Sequence, residues 1–480
     1  MKRKKIFFVT LFLVVFLIFF IIKNLFILDP DFGWHLRLGE LILKSGIPKT
    51  DPFSYTMPSF PFVDHEWLSN IMIYFIYQKS FILLAIVFAL FPLFTLLITF
   101  YKNFKPFLFG VYILSFSVLL SFSGIRIQTI SWMLVSTLLV VVLNGELWKR
   151  FRFFIPLLIL LWANLHGGFA IAIYILALTI AAKAIERKIE RLDFVVFFAS
   201  LFATFLNPYG PRLWGEIFLQ IGDPSLRWKI AEWLPGVFFI ELSFILLLAI
   251  SLVLVFRFRS KLSILDLTIF LGLILLSFSS ARHIPFLIIA NLCLAQKTIS
   301  IFYSELRGKK VQEKRFLKVA FVFAVLSLFI FSYEHYSLNL GSNSRDKYPS
   351  AAVSYLKKER IKGEIFSDYG WGGYLIWKMP EKKVFIDGRM PSWRWNAPSS
   401  ESDYAFHDFS EISKGDYKKY FEKYNIRYVL WPRDETKDPR LFSINISFFK
   451  KENRPSLIER LEQDSWEKVY EDQAAVIYRK

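Results

Sequence analysis

The 480-residue chain contains a single cysteine, Cys293, which falls inside an apolar run. One thiol excludes an internal disulfide and any zinc site built on cysteines, and it leaves the redox compartment unreadable. The sequence has no GxGxxG and no P-loop, so a nucleotide cradle is unsupported. Acidic residues are scarce beside basic ones, 40 against 59, for a formal net charge of +19. Most of that excess lies before residue 334, beside long apolar runs, where Lys and Arg are expected at the cytoplasmic ends of membrane spans. The basic balance therefore points to a bilayer and not to nucleic acid.

What the chain has in quantity is apolar surface: 55% of its residues are hydrophobic and 19% aromatic, more than ordinary soluble domains carry. The N-terminal "MKRKKIFFVTLFLVVFLIFFIIKNLFIL" has an apolar core of about 20 residues and no small-x-small cleavage site, so it reads as an uncleaved first span with its basic end in the cytoplasm. Further runs near 81–101, 106–123, 128–145, 152–165, 168–182, 192–206, 236–256, 262–280, 284–302 and 316–333 bring the expectation to about eleven transmembrane helices. The loops between them alternate between strongly and weakly basic. The strongly basic set includes Lys102 and Lys105, Lys149 to Arg152, Lys183 to Arg191, Arg257 to Lys261 and Lys297 to Lys318; these are expected in the cytoplasm. The other set, with everything after 334, is expected outside.

That alternation closes only if 29–80 holds no complete span. We therefore read 29–80 as an outer first loop with two interfacial helices, within a transmembrane domain of residues 1–333. From 344 to 480 the composition becomes mixed, and strands ("GEIFSDY", "KVFIDGR", "RYVLWP" and a terminal hairpin) alternate with helices. This predicts an extracytoplasmic C-terminal α/β domain. The fold class is thus an α-helical polytopic protein of the plasma (inner) membrane, with a cytoplasmic N-terminus. "DYGWGGYLIW" reads as a turn beside a core helix, or as a surface on which a sugar stacks. Asp387 and Arg389 of "FIDGR" read as a turn.

The candidate chemistry gathers in the outer loops. In "DPDFGWHLRLGE", Asp31 and His35 lie four residues apart on one helical face, as an acid/base pair, as half a metal site, or with Asp31 as an N-terminal cap. Asp29 stands beside them. Asp64, His65 and Glu66 of "VDHEW" open the second helix; Asp64 can cap it, and hard oxygens with an imidazole also suit Mg, Mn or Zn. His166 in "NLHGG" is a ligand contact or a satisfied interhelical histidine. Arg126, Arg282 and His283 stand at outer span ends, either as phosphate-binding cations or as residues snorkelling to lipid headgroups.

The motifs "DPDFGWHLRLGE", "TDPFSYT", "HEWL", "NLHGG", "NPYG" and "GWGGYLIW...VFIDGR", with a basic-ended first span and an acidic first loop, resemble the GT-C superfamily of membrane glycosyltransferases, which includes the protein mannosyltransferases and lipid A aminoarabinose transferases. The resemblance is nearest to uncharacterised bacterial members and spans nearly the whole chain in architecture. It implies sugar transfer from a polyprenyl-phosphate-linked donor to a lipid, glycan or protein acceptor, with a first-loop acid as base. The matching residue is Asp31, with Asp29 beside it; where many members have adjacent acids, this chain has Asp-Pro-Asp. Two other readings compete: a lipid-linked-sugar transporter, and a non-catalytic envelope assembly or binding protein.

Overall fold

The computed structural model describes residues 2–100, 105–306, 309–336, 348–414, 417–433 and 456–480. Lys102, the middle of the basic run at 307–308 and the first residues of the tail lie outside the described residues. The chain divides into two compact units. One comprises Met1–Leu25, Leu84–Ile217 and Arg227–Asn339; the other comprises Phe26–Leu83, Phe218–Leu226 and Leu340–Lys480. The composition break near 334 thus marks only one of the boundaries. The sequence places 29–80 with the spans, whereas in the structure this loop packs with the polar tail.

The first unit is helical. Each of the apolar runs read from the sequence forms a helix, but helix and crossing are different quantities. Among the described residues four helices, Phe81–Thr99, Leu242–Lys261, Ala281–Leu306 and Val311–His335, are long and apolar enough to cross a membrane, since a hydrocarbon core of about 30 Å needs about 20 residues at 1.5 Å each. Gln128–Val142 and Gly145–Leu165 pass the same test together but are bent by 109°. Thr10–Phe26, Phe107–Phe122, Phe169–Ile185 and Ile264–Ser279 are shorter apolar helices. Some polar residues at helix ends serve the orphan N–H groups of the backbone. Ser263 and Asp266 form a capping box on Ile264–Ser279, and Asn144 accepts from the N–H groups of Glu146 and Leu147. Glu334 accepts from the Ser243 N–H at 2.8 Å, at the start of Leu242–Phe258.

In the second unit, the first loop supplies two helices, Phe32–Ser45 and Trp67–Lys79. Neither is among the helices long and apolar enough to cross. Phe32, Leu36, Leu38 and Ile42 form the buried apolar stripe of the first, at the spacing an amphipathic helix requires. Its start meets the helix Gly372–Lys378 so closely that a Cβ on Gly33 would lie 1.8 Å from the Gly373 carbonyl oxygen, and one on Gly373 would lie 2.1 Å from that of Pro30. Glycine at both positions is what allows the backbones to touch.

The tail builds a four-stranded sheet from β1 (Glu364–Ser367), β2 (Ile426–Pro432), β3 (Glu467–Glu471) and β4 (Ala475–Arg479), in the order β1-β2-β4-β3. β1 runs parallel to β2, with Phe366 opposite Val429, and the β3–β4 hairpin is antiparallel. "KVFIDGR" is not a strand of this sheet. Its Val384 instead makes an isolated parallel bridge to Ser54 of the first loop, with Val384 N–H to Phe53 O at 2.9 Å and Tyr55 N–H to Val384 O at 3.1 Å. The expected strand was drawn away from the sheet by this short pairing, and the chain then turns at Asp387–Met390. "DYGWGG" is a 3-10 turn leading into the helix Gly372–Lys378, and Trp371 is buried.

Candidate active site

The opening "DPDFGW" of the first-loop helix folds on itself. The Asp31 N–H donates to Asp29 Oδ1 at 2.9 Å, and the Trp34 indole N–H donates to Asp31 Oδ1 at 3.0 Å. Asp31 occupies the N-cap position, yet its carboxylate makes no capping bond to the helix. Asp29 is buried, whereas Asp31 stays partly exposed. Of the two acids, Asp31 is therefore the more exposed, while Asp29 braces the turn that carries it.

His35, one turn further on, belongs to a different network. Its Nδ1 lies 2.7 Å from Asn70 Oδ1, and the Asn70 amide donates to Asp64 Oδ2 at 2.8 Å. Because Asn70 spends its N–H on Asp64, it offers only oxygen to His35, which fixes the imidazole proton on Nδ1. Burial drives the His35 pKa down to about 3, outweighing the hydrogen bond to Asn70, and His65 and Arg389 add like charge. His35 is thus neutral at physiological pH. Burial pushes Asp64 up to about 6, while hydrogen bonds from the Glu66 N–H and Asn70 and the charge of Arg389 pull the other way.

The helix Trp67–Lys79 has Glu66, not Asp64, at its N-cap; Asp64 instead accepts from the Glu66 N–H at 3.0 Å. Asp64, His65 and Glu66 are the side chains the sequence offers to a metal, and Glu66 lies 3.8 Å from both His35 Nδ1 and His65 Nε2. Among the described residues no three His, Cys, Asp or Glu side chains converge as ligands, and both Asp64 oxygens already take protein donors.

Sequence reasoning missed the ion cluster behind Asp31. Arg389 donates from Nε and Nη2 to Asp387 at 2.8 and 2.6 Å, and its Nη1 lies 2.8 Å from Asp51 Oδ1. All three are buried. Rings of Phe53, Phe62, Trp393 and Trp34 surround the guanidinium, with centroids 5.0, 5.1, 5.3 and 5.8 Å away. Gly388, between Asp387 and Arg389, is pressed against the Asp31 carboxylate. The cluster therefore fixes the backbone on which Asp31 rests. "FIDGR" read as a turn gave half of this; the other half, Asp51, lies in "TDPFSYT", a motif that carries the resemblance without indicating this pairing.

In the unit that holds the long apolar helices, the remaining candidates divide. His166 Nδ1 lies 2.7 Å from Ser131 Oγ and accepts from the Gly168 N–H at 2.9 Å, and Trp162 Nε1 donates to the same Ser131 at 2.7 Å. These bonds tie the Nδ1 edge of His166 to Ser131 of a neighbouring helix. His283 turns Nδ1 towards the Leu276 carbonyl, 3.2 Å away. Arg126 instead pairs with Glu232 at 2.5 Å. Arg282 stacks over the Trp233 ring at 4.4 Å, and Gln128 donates to its carbonyl at 2.8 Å. The two arginines are thus brought together by Glu232 and Trp233, residues the sequence did not single out.

Neither a family model nor a curated protein matches the chain. Among solved structures, the crystal structure of the Archaeoglobus fulgidus oligosaccharyltransferase in its apo form aligns with 88% of this chain and 69% of its own, at a TM-score of 0.54 and 14% identity. The fold is similar to that of this oligosaccharyltransferase. At that identity the likeness is one of fold alone. The likeness agrees with the helices of this chain that are long and apolar enough to cross a membrane.

Proposed function

We propose that the protein transfers a sugar from a polyprenyl-phosphate donor to an acceptor hydroxyl on the outer face of the plasma membrane, with Asp31 as base. The observation that supports this most is the placement of Asp31: a partly exposed acid at the start of the first-loop helix that makes no capping bond, accepts the Trp34 indole N–H and packs against Gly388. An acceptor hydroxyl needs such a carboxylate to take its proton while its oxygen attacks the sugar's anomeric carbon. The bond from that carbon to the phosphate oxygen breaks, and polyprenyl phosphate leaves with the electron pair. Arg126 and Arg282 are our candidates for stabilising the departing phosphate. Asp29 and the His35–Asn70–Asp64 network act as positioning groups, and His166 and His283 as structural ones.

Asp31→Asn tests the reading. The variant should accumulate in membranes as the wild type does and lose sugar transfer to a polyprenyl-phosphate-dependent acceptor; normal transfer by it removes the mechanism. Protection of a C-terminal tag from protease added to the cytoplasmic side of inverted vesicles checks the proposed orientation.

A further inference from the structure

Two guanidinium groups act on one carboxylate at the outer end of the helix bundle. Arg126 Nη1 lies 2.5 Å from Glu232 Oε1, and Arg282 lies over the ring of the next residue, Trp233. We propose that Glu232 is a resident anion that occupies the phosphate seat of Arg126 and Arg282, and that a polyprenyl phosphate headgroup binds by displacing it. The inference rests on the reading of these arginines as phosphate ligands.

The chemistry favours exchange. A guanidinium fork accepts carboxylate and phosphate in the same geometry, so a ligand phosphate takes over the bonds that Glu232 vacates. Burial works against ionisation of Glu232, but the charges of Arg126 and Arg282 override it and hold its carboxyl below the usual carboxylate range. Protonation at neutral pH therefore does not empty the seat, and another anion must.

The surroundings allow the movement. Glu232 is only half buried and sits on a three-residue 3-10 turn, Ala231–Trp233, not within a long helix. That turn is held to the neighbouring segment by the Ser280 hydroxyl donating to the Glu232 carbonyl at 3.1 Å and by the Ala281 N–H donating to the Leu234 carbonyl at 2.7 Å. Both bonds are to main-chain oxygens, so the Glu232 side chain can swing out while the turn keeps its place.

Equilibrium binding of farnesyl phosphate to the full-length protein in maltoside micelles, which contain no phosphate, tests this apart from transfer. Glu232→Gln should bind about tenfold tighter than the wild type, and Glu232→Asp, which withdraws the charge by one methylene, should also tighten, by less. Arg126→Gln and Arg282→Gln should each bind about tenfold weaker. Inorganic phosphate should rank the variants in the same order at lower affinity; tighter binding of inorganic phosphate than of farnesyl phosphate would overturn the lipid headgroup as the ligand. If the arginine variants weaken binding but neither Glu232 variant tightens it, displacement is wrong and the phosphate site stands. If the arginine variants bind as the wild type does, both fall.

Discussion

A Cβ on residue 388 would lie 1.9 Å from Asp31 Oδ1 and 2.9 Å from its Cγ. Asp31 and Gly388 are thus in contact with no room for a side chain between them, although 357 positions of sequence separate them. The tail sets where the first-loop carboxylate sits.

Gly388→Ala should therefore push the Asp31 carboxylate off the Trp34 indole N–H. If Asp31 is the base, the variant loses kcat by about a hundredfold, the scale of a misplaced catalytic group, while the protein still folds and inserts. Gly215→Ala is the control. Nothing lies within 4 Å of a Cβ there, and in the helix Arg212–Gly222 alanine should be neutral or stabilising by about 0.5–1 kcal/mol. Equal activity of the two variants would show that the contact does not position Asp31.

The Arg389 cluster predicts an asymmetric mutational response. Breaking a buried pair by removing one partner costs about 3–5 kcal/mol, because the remaining charge is left uncompensated; here Arg389→Met strands two carboxylates, Asp51 and Asp387. Its melting temperature in detergent should fall well below that of the wild type. Adding Asp51→Asn and Asp387→Asn removes the stranded charges and should recover a large part of the loss. A single variant that melts like the wild type would mean the cluster carries no stability.

Much of the helical architecture could be read in the chain, because apolar runs bounded by basic loops report directly on bilayer partitioning. The short strands β2, β3 and β4 were also visible as β-branched and aromatic runs. What the sequence did not disclose were pairings between distant segments. "KVFIDGR" has a strand's composition, yet its partner is the loop around Ser54. Asp31 was legible as an acid at a helix start, but its partners Trp34 and Gly388 were not, since helical spacing says nothing about a residue 357 positions away. Arg126 and Arg282 were visible as outer cations; that Glu232 lies between them follows from the fold of a loop with no regular period.

The buried His35–Asn70–Asp64 network gives the most discriminating test, because its two titrating ends pull in opposite directions. The folded His35 pKa, about 3, lies below its ordinary value, so its contribution to stability is complete above about pH 6.5 and is lost as pH falls towards 3. The folded Asp64 pKa, about 6, lies above its ordinary value; its contribution is complete below about pH 4 and is lost as pH rises through 6. Acidifying from pH 7 to 5 thus destabilises through the histidine and stabilises through the aspartate, each on the order of 1–2 kcal/mol. His35→Asn keeps an N–H for the Asn70 oxygen and removes the first effect, so its melting temperature should rise relative to the wild type's as pH is lowered over this range. Asp64→Asn removes the second, and its melting temperature should fall more steeply than the wild type's; the fold can tolerate the amide if Asn70 turns over and the His35 proton moves to Nε2. Groups outside the network titrate alike in all three proteins, so the differences between their curves isolate this pair. Three parallel curves from pH 7 to 5 would show that neither group carries its buried charge state into the stability of the fold.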